Sequence, residues 1–333
     1  MADLKDIRGI RAQALASDPD QPGAIGQIFY NDTAGVFKAI KTGAVSDASW
    51  ASGGNLNTGR GLVANGACGS QTAAIIFSGA EPANSAKTET YDGTSFTETG
   101  DLNQSRNEIS GNGTTTAALC IGYTPSSALN ESWNGSSWTE TTEFNTARVN
   151  QASVGSQTAT LLIAGEVPGP QGGFKANVET WDGSGWTEVG DVNTAVNKHQ
   201  VAGTQTVAIK AGGQGPPNGV VDNVETWNGS SWTEVAEMNT ARSYGAAGAP
   251  DSENFIIGGG LTPPSTKQVI TEFWNGTSWT EVGDMSTARY GIGGAATDGT
   301  SALGAGGALL PGASAATEEF TAPATKGVTI TSS

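Results

Sequence analysis

The side chains best suited to chemistry in this chain are few, and their spacing assembles no reactive group. His199 is the only histidine, which excludes a metal site built from several histidines. The two cysteines, Cys68 and Cys120, fall at apolar positions, so we interpret them as small buried hydrophobes rather than a disulfide or metal pair. The sequence therefore predicts neither an enzyme nor a site for a cofactor or metal.

Arginines recur at one fixed place in a repeat, and two roles are open for them. A ring of arginines could bind an anion, but Val196 interrupts the series. An acidic residue often stands five positions earlier, which favours a structural ion pair. The arginines are Arg60, Arg106, Arg148, Arg242 and Arg289, and the acids are Asp101, Glu143, Glu237 and Asp284.

The overall charge narrows the classes of partner. The formal net charge is −16, and an acidic body repels the phosphate backbone of nucleic acids, so we expect no nucleic-acid binding. Residues 1–6 are polar, which predicts no secretory signal, and no apolar run is long enough to insert into a membrane. The 48 glycines and only 14% charged residues are typical of many short strands joined by tight turns.

The elements that carry these residues belong to an internal repeat. The pattern ETWNGSSWTEV, a linker that ends in NTAR, and an apolar run into glycines recur with a spacing of 42–48 residues. Asn-Gly or Asp-Gly between two aromatic strands is a strong hairpin signal. Each copy predicts four strands, named a to d from the inside outward, and a period in the forties with four strands is typical of a propeller blade. The first aromatics of the copies are Tyr91, Trp133, Trp181, Trp227 and Trp274.

The two ends of the chain supply a sixth, divided copy. Trp50 precedes Arg60 by ten residues, as Trp279 precedes Arg289, whereas Phe320 near the other end lacks the turn and second aromatic that should follow it. The sequence therefore predicts an all-β, six-bladed propeller over residues 46–322, in which an N-terminal strand closes the last blade.

The order of glycine pair, two aromatics and arginine resembles the kelch repeat. The near-identity of neighbouring copies is similar to kelch-like tail-fibre and appendage proteins of tailed bacteriophages, marine ones in particular. The segment GQIFYNDTAGVFK at 26–38 strengthens that likeness, since phage appendage proteins often carry a comparable hairpin before the body. The resemblance implies a viral structural protein located in the virion, in the tail or another appendage.

Two regions flank or decorate the predicted propeller. Residues 1–45 are expected to form an attachment arm of a short helix, a linker and a β-hairpin, and residues 323–333 a tail that either adds a strand to the arm or competes for the sixth blade. The loops between strands b and c differ among blades and contain proline, so they are the candidate recognition loops. The arm residues are Ile7, Ile10, Leu15, Phe29, Tyr30 and Phe37. The loop residues are Pro82, Asn84, Tyr123, Pro125, Phe174, Pro216, Asn218, Leu261 and Pro263.

These observations predict a phage tail-fibre or appendage subunit that attaches to other virion proteins through its arm and assembles as a homo-oligomer. Its propeller would serve host attachment by binding a surface glycan or protein receptor through the loops. A head, collar or tail decoration protein without a receptor role and a cellular kelch-type scaffold are the alternatives. Enzymatic depolymerisation of a capsule is the least favoured.

Overall fold

The computed structural model describes residues 13–15, 28–31, 36–42, 47–63, 65–81, 83–123, 127–169, 173–248, 252–309, 312–322 and 325–329. The described residues form strands and turns and contain no α-helix. They divide into two compact units, one of residues 1–48 with 322–333 and one of Ser49–Thr321.

The larger unit is a six-bladed β-propeller, as the sequence predicts. Each blade is a four-stranded antiparallel sheet whose strands follow one another in the order a, b, c, d. Blade 1 consists of β5 (Ala67–Ser70), β6 (Ala73–Phe77), β9 (Thr88–Tyr91) and β10 (Phe96–Glu98); blade 2 of β11 (Ser110–Thr114), β12 (Ala117–Tyr123), β13 (Ser127–Trp133) and β14 (Trp138–Thr141); blade 3 of β15 (Ala152–Ser156), β16 (Ala159–Val167), β17 (Gly173–Trp181) and β18 (Trp186–Val189).

The other three blades repeat this arrangement, and the sixth draws its outer strand from the start of the unit. Blade 4 consists of β19 (Gln200–Gly203), β20 (Ala208–Ala211), β23 (Val224–Trp227) and β24 (Trp232–Glu234); blade 5 of β25 (Ala246–Gly248), β26 (Phe255–Gly258), β29 (Thr271–Trp274) and β30 (Trp279–Val282); blade 6 of β31 (Gly293–Asp298), β32 (Ser301–Ala305), β33 (Thr317–Thr321) and β4 (Ser49–Ser52). Short hairpins lie in three b–c loops: β7 (Ala80–Glu81) with β8 (Ala83–Asn84), β21 (Gln214–Gly215) with β22 (Gly219–Val220), and β27 (Leu261–Thr262) with β28 (Thr266–Lys267).

The hairpin between strands c and d shows why the repeat folds locally. In blade 2, Asn134 Oδ1 accepts the backbone N–H groups of Ser136 and Ser137, both at 2.9 Å. Gly135 has a φ of 94°, which glycine adopts at little cost. The turn sets the register that pairs Trp133 with Trp138, whose ring centroids lie 5.3 Å apart. Pairs of aromatics directly opposite each other stabilise a sheet.

The blades pack through apolar side chains that cross each interface. One cluster joins Val154 and Leu161 of blade 3 to Trp227 of blade 4, and similar clusters fill the other interfaces. Strand a of each blade contacts strand a of the next, and β31 contacts β5 to complete the circle. The tryptophans are therefore core residues, because buried aromatic area of this size dominates packing energy.

The divided sixth blade closes as predicted. Strand β4 pairs with β33 in a register that sets Trp50 opposite Phe320 and Ser49 opposite Thr321. The Trp50 indole N–H donates to Thr271 Oγ1 of blade 5 at 2.9 Å. On the other side, Gln71 of blade 1 donates its amide to the carbonyl of Phe320 at 2.7 Å. The chain thus enters and leaves the propeller on neighbouring strands.

The smaller unit is one four-stranded sheet in the order β1, β2, β3, β34. Its strands are β1 (Gln13–Leu15), β2 (Ile28–Asn31), β3 (Val36–Thr42) and β34 (Thr325–Thr329). Strands β2 and β3 are the expected hairpin, with Tyr30 opposite Phe37, and β34 of the tail pairs with β3. Phe29 is buried.

One arm residue differs from the sequence-based expectation. Leu15 was assigned to a helix by the apolar pattern but lies in β1, opposite Asn31 of β2 in a parallel pair. The backbone groups of this segment bond across a sheet, which a spacing pattern interrupted by Gly9 could not reveal. Ile7 and Ile10, which the same pattern placed in that helix, lie outside the described residues.

Candidate binding surface

The repeated arginines are structural, and they pair with a different acid from the one predicted. Arg148 Nη1 lies 2.6 Å from Glu179 Oε1, and both side chains are inaccessible to solvent. The backbone N–H of Asn145, in the same NTAR motif, donates to the other oxygen of Glu179 at 2.7 Å. The glutamate is that of the Glu-Thr-Trp motif on strand c. The same pairs elsewhere are Arg60–Glu89, Arg106–Glu131, Arg242–Glu272 and Arg289–Glu318.

The acids five residues before the arginines do not form these ion pairs. Asp101, Glu143, Glu237 and Asp284 are exposed, whereas the strand-c glutamates are buried beside the arginines. Burial lowers the pKa of Arg242 to about 10, and the adjacent Glu272 opposes that shift. Because every one of these arginines is fully buried, none is available to bind an anion at the surface.

Blade 4 lacks the arginine and takes its cation from another strand. Val196 occupies the arginine position, and Lys210 of β20 places its Nζ 3.0 Å from Glu225 Oε1. Lys210 lies opposite Glu225 in the pairing of strands b and c. In the other five blades, the strand-b residue opposite the corresponding glutamate is uncharged. An unpaired carboxylate in the core is strongly destabilising, so the lysine compensates for the valine.

The b–c loops and the loops between blades share one end of the propeller, which we call the loop face. In blades 1, 3, 4, 5 and 6, a bridge joins the residue after the arginine position to the start of the b–c loop, as between Asn197 and Gln214 and between Ser243 and Leu261. The opposite end, with the a–b and c–d turns, is called the turn face. The bridges hold the b–c loops against the body of the propeller, so these loops form a preset surface.

The sequence-predicted loop residues that the structure describes lie on this face. Pro216 and Asn218 are exposed in the turn between β21 and β22, and Pro263 is exposed in the turn between β27 and β28. Asn84 is exposed at the end of β8, and Phe174 and Leu261 are half-buried. Tyr123 ends β12, whereas Pro82 and Pro125 lie outside the described residues.

Sequence reasoning missed a ring of six residues at the centre of the loop face, here called the axial ring. Each stands two positions after the arginine position, and each has a left-handed backbone. Their φ angles are 52° (Leu62), 52° (Glu108), 55° (Asn150), 55° (Lys198), 59° (Tyr244) and 61° (Gly291). Non-glycine residues rarely adopt this conformation, so its recurrence marks a position that the blade geometry imposes.

Backbone hydrogen bonds link the axial ring from blade to blade. The N–H of Asn150 donates to the carbonyl of Glu108 at 3.1 Å, and that of Lys198 donates to Asn150 at 2.9 Å. Tyr244 donates in turn to Lys198, and Gly291 to Tyr244, both at 2.9 Å. Glycine is the residue expected at such a φ, yet only one blade has it. A comparison of the six sequence copies at this position, and not only of their b–c loops, would have revealed that the residue type differs from blade to blade.

The side chains of the axial ring make mixed polar contacts. The Tyr244 hydroxyl lies 3.1 Å from Asn150 Oδ1 and 3.2 Å from Glu108 Oε1. Lys198 Nζ stands 5.2 Å above the Tyr244 ring and donates to Gln214 at 2.9 Å. Burial, with the nearby Glu108, raises the pKa of Tyr244 well above its ordinary value. Tyr244 and Asn150 are themselves buried. The axial ring therefore presents the half-buried Leu62, Glu108 and Lys198 to solvent, an apolar side chain, a carboxylate and a cation around a polar centre.

A cavity of the propeller opens at the other end. It has a volume of about 630 Å³ and is lined by the inner strands and the a–b turns, including Cys68, Asn112, Ser156 and Thr204. None of the described residues that line it is charged. A second, separate space of about 10 Å³ lies beside His199 and Tyr244 near the loop face, close to the size of one water molecule.

His199 is a core residue and not a surface base. It is fully buried, and neither ring nitrogen has a hydrogen-bond partner among the described residues. Burial, and to a smaller extent the positive charge of Lys210, lowers the pKa of His199 well below its ordinary value. The imidazole is therefore neutral in the folded chain over the whole physiological range.

His199 makes stability fall in mild acid. Below its ordinary pKa of 6.5 the unfolded chain gains a proton that the folded chain excludes, so unfolding is favoured as pH falls. The His199→Leu variant is expected to lose this dependence. Urea unfolding at several pH values between about 6.5 and 5 should give the wild type an additional slope of up to about 1.4 kcal/mol per pH unit. Identical slopes in the two proteins would contradict the assignment.

No protein-family model matches the chain, and no curated protein matches it. Among the described residues, no group of three or more histidine, cysteine, aspartate or glutamate side chains is placed to hold a metal ion. No helix long and apolar enough to cross a membrane was found in the part of the chain that the structure describes. The loop face therefore has to be interpreted from its own geometry.

Proposed function

We propose that this chain is a virion structural protein of a tailed bacteriophage, a tail-fibre or appendage subunit whose propeller binds a host-surface glycan or protein through the loop face. The observation that carries the binding role is the axial ring. Six positions with nearly the same backbone φ hold six different residue types, from Leu62 and Glu108 to Lys198 and Tyr244. Different side chains at equivalent positions of a repeated scaffold are typical of a recognition surface.

The composition of the face supports recognition of a polar ligand. Tyr290 is half-buried, and its ring lies 6.0 Å from that of Tyr244, the ring over which Lys198 Nζ stands. Aromatic rings combined with carboxylates and amides suit both sugars and protein surfaces. The exposed Pro216 and Pro263 stand on short hairpins, whose limited freedom lowers the entropy lost on binding.

The virion assignment rests on the kelch-like repeat and on the arm motif at 26–38. Strands β2 and β3 of the arm form a sheet with the tail strand β34, which makes a compact element suited to docking on other virion proteins or on copies of itself. A decoration protein of the head, collar or tail is the second candidate, and a cellular kelch-type scaffold is the third. We propose no enzymatic activity.

Immunogold electron microscopy of purified particles tests this assignment. An antibody against residues 54–320 is expected to label a distal tail appendage. Label on the head or collar would contradict a receptor-binding role and favour a decoration protein. Absence of the protein from particles would contradict the virion role and favour a cellular scaffold.

Deletion of residues 323–333 is expected to abolish attachment to the particle and to leave the folding of the propeller unchanged. The deletion removes β34 and leaves one edge of β3 unpaired, so incorporation into particles should be lost. The thermal unfolding of the propeller should be unchanged, because the sixth blade is closed by β4. Circular dichroism and western blotting of particles measure the two effects. A chain that ends after Thr329 is the control, and normal incorporation of the deletion variant would refute the role of the tail.

A further inference from the structure

Blade 4 contains a buried amine next to a side-chain amide. Lys210 is completely buried on β20, and its Nζ lies 2.9 Å from Asn223 Oδ1, at the start of strand c. The same Nζ lies 3.0 Å from Glu225 Oε1, and Glu225 is also inaccessible to solvent. A nucleophile, an acyl group and a proton-transfer group therefore meet at one place, with the amine and the carboxylate shielded from solvent, which is the combination that acyl transfer requires.

We propose that Lys210 and Asn223 form an intramolecular isopeptide bond between strands b and c of blade 4, with Glu225 as the catalytic proton-transfer residue. Lys210 first gives one proton of its ammonium group to the Glu225 carboxylate. The neutral amine then attacks Cγ of Asn223, and a C–N bond forms. The second amine proton passes to the former amide nitrogen, which leaves as ammonia, while Glu225 keeps the proton it received and ends neutral, so no unpaired charge stays in the core. The reaction is a transamidation that consumes no oxidant, reductant or other reactant.

The surroundings favour both the nucleophile and the leaving group. Burial lowers the pKa of Lys210, which increases the share of the neutral amine, although Glu225 opposes this shift. The amide nitrogen of Asn223 donates to Glu234 Oε1 at 3.2 Å, which fixes the plane of the acyl group. Asn223 is only half-buried, so ammonia has a route to solvent. Groups already held in contact react as an effectively unimolecular pair.

Blade 3 provides a natural comparison that lacks only the amine. Asn177 stands at the position of Asn223 and donates to Glu188 at 3.0 Å. Glu179 stands at the position of Glu225, but Leu162 replaces the lysine and Arg148 supplies the cation. The amide and carboxylates are thus common to blades 3 and 4, whereas the amine is present only in blade 4, where the arginine is absent. A salt-bridging lysine alone would leave the amide intact.

Mass spectrometry of the full-length, denatured protein tests the bond. The wild type is expected to be lighter than its sequence by one ammonia, and trypsin should leave residues 199–242 as one peptide with that deficit, because an acylated Lys210 is not cleaved. Asn223→Ala and Glu225→Gln should each restore the full mass of the variant's own sequence and cleavage by trypsin after Lys210. A wild type of full mass that trypsin cleaves after Lys210 would overturn the proposal.

Transfer of the site to blade 3 gives a second, independent measurement. The double substitution Arg148→Val and Leu162→Lys reproduces the residues of blade 4 next to Asn177. The folded double variant is expected to lose a second ammonia, with a new link between position 162 and Asn177. The same double variant combined with Asn177→Ala should lose one ammonia only. If the folded double variant shows no second loss, the three groups are insufficient and the proposed chemistry is refuted.

Discussion

Replacement of Arg148 by valine is expected to lower the free energy of unfolding by about 3–5 kcal/mol, the cost typical of removing one partner from a buried ion pair. The variant leaves Glu179 in the core without the guanidinium that contacts it at 2.6 Å. It also removes the Nε–H donor to the carbonyl of Ala164 at 2.8 Å, a hydrogen bond that holds strand b where its register with strand c shifts. Urea unfolding followed by tryptophan fluorescence measures the change.

Addition of Leu162→Lys to Arg148→Val is expected to recover most of that loss. The double variant copies blade 4, where Lys210 serves Glu225 in the absence of arginine. Leu162→Lys alone is the control, and it should destabilise the protein because a second buried cation has no carboxylate left to pair with. A double variant no more stable than Arg148→Val would show that the valine and lysine of blade 4 are not compensating substitutions.

Cysteines in place of Ser49 and Thr321 are expected to form a disulfide that locks the propeller closed. These residues are exposed and directly opposite in the β4–β33 pair, at a separation suited to a disulfide. The bond closes a loop that contains the whole propeller, so the free energy of unfolding should rise by up to about 5 kcal/mol. Thermal unfolding with and without reductant measures the gain.

The native cysteines do not interfere with this test. Cys68 and Cys120 are buried and free, and burial raises the pKa of Cys120 to about 11, so its thiolate is scarce at neutral pH. The control pair is Ser52→Cys with Thr321→Cys, because Ser52 lies opposite Glu318 and not opposite Thr321. If the control pair forms the disulfide and the Ser49 pair does not, the register of the closing strand is wrong.

The fold could be predicted because the repeat encodes local and long-range structure together. The Asn-Gly turn between Trp133 and Trp138 specifies a hairpin wherever it recurs, and the recurrence itself specifies the blades. Closure could be predicted because Phe320 lacks the aromatic that Trp50 supplies. These inferences need only residues a few positions apart and a comparison between copies of the same motif.

Contacts between strands distant in the chain could not be predicted in the same way. The predicted partner of each arginine was an acid five residues earlier in the chain. Arg148 instead pairs with Glu179, because strand c of blade 3, which carries Glu179, folds back next to the arginine that precedes this blade. The role of Lys210 depends on the b–c register, and the left-handed φ of Tyr244 depends on how each blade meets the next. Leu15 was assigned to a helix because apolar spacing carries no information about the parallel partner strand.

Adsorption of the purified, fluorescently labelled chain to host cells tests most directly whether the loop face binds the host. The variants Lys198→Ala, Asn218→Ala and Tyr290→Ala change the loop face, and Thr94→Ala, Ser136→Ala and Thr277→Ala change exposed residues of the turn face. Combined, the loop-face changes should weaken binding at least tenfold, about 1.4 kcal/mol or more. The turn-face changes should leave it within about twofold of the wild type, less than about 0.5 kcal/mol. Unchanged binding after the loop-face substitutions, or a loss confined to the turn-face set, would contradict recognition through the loop face.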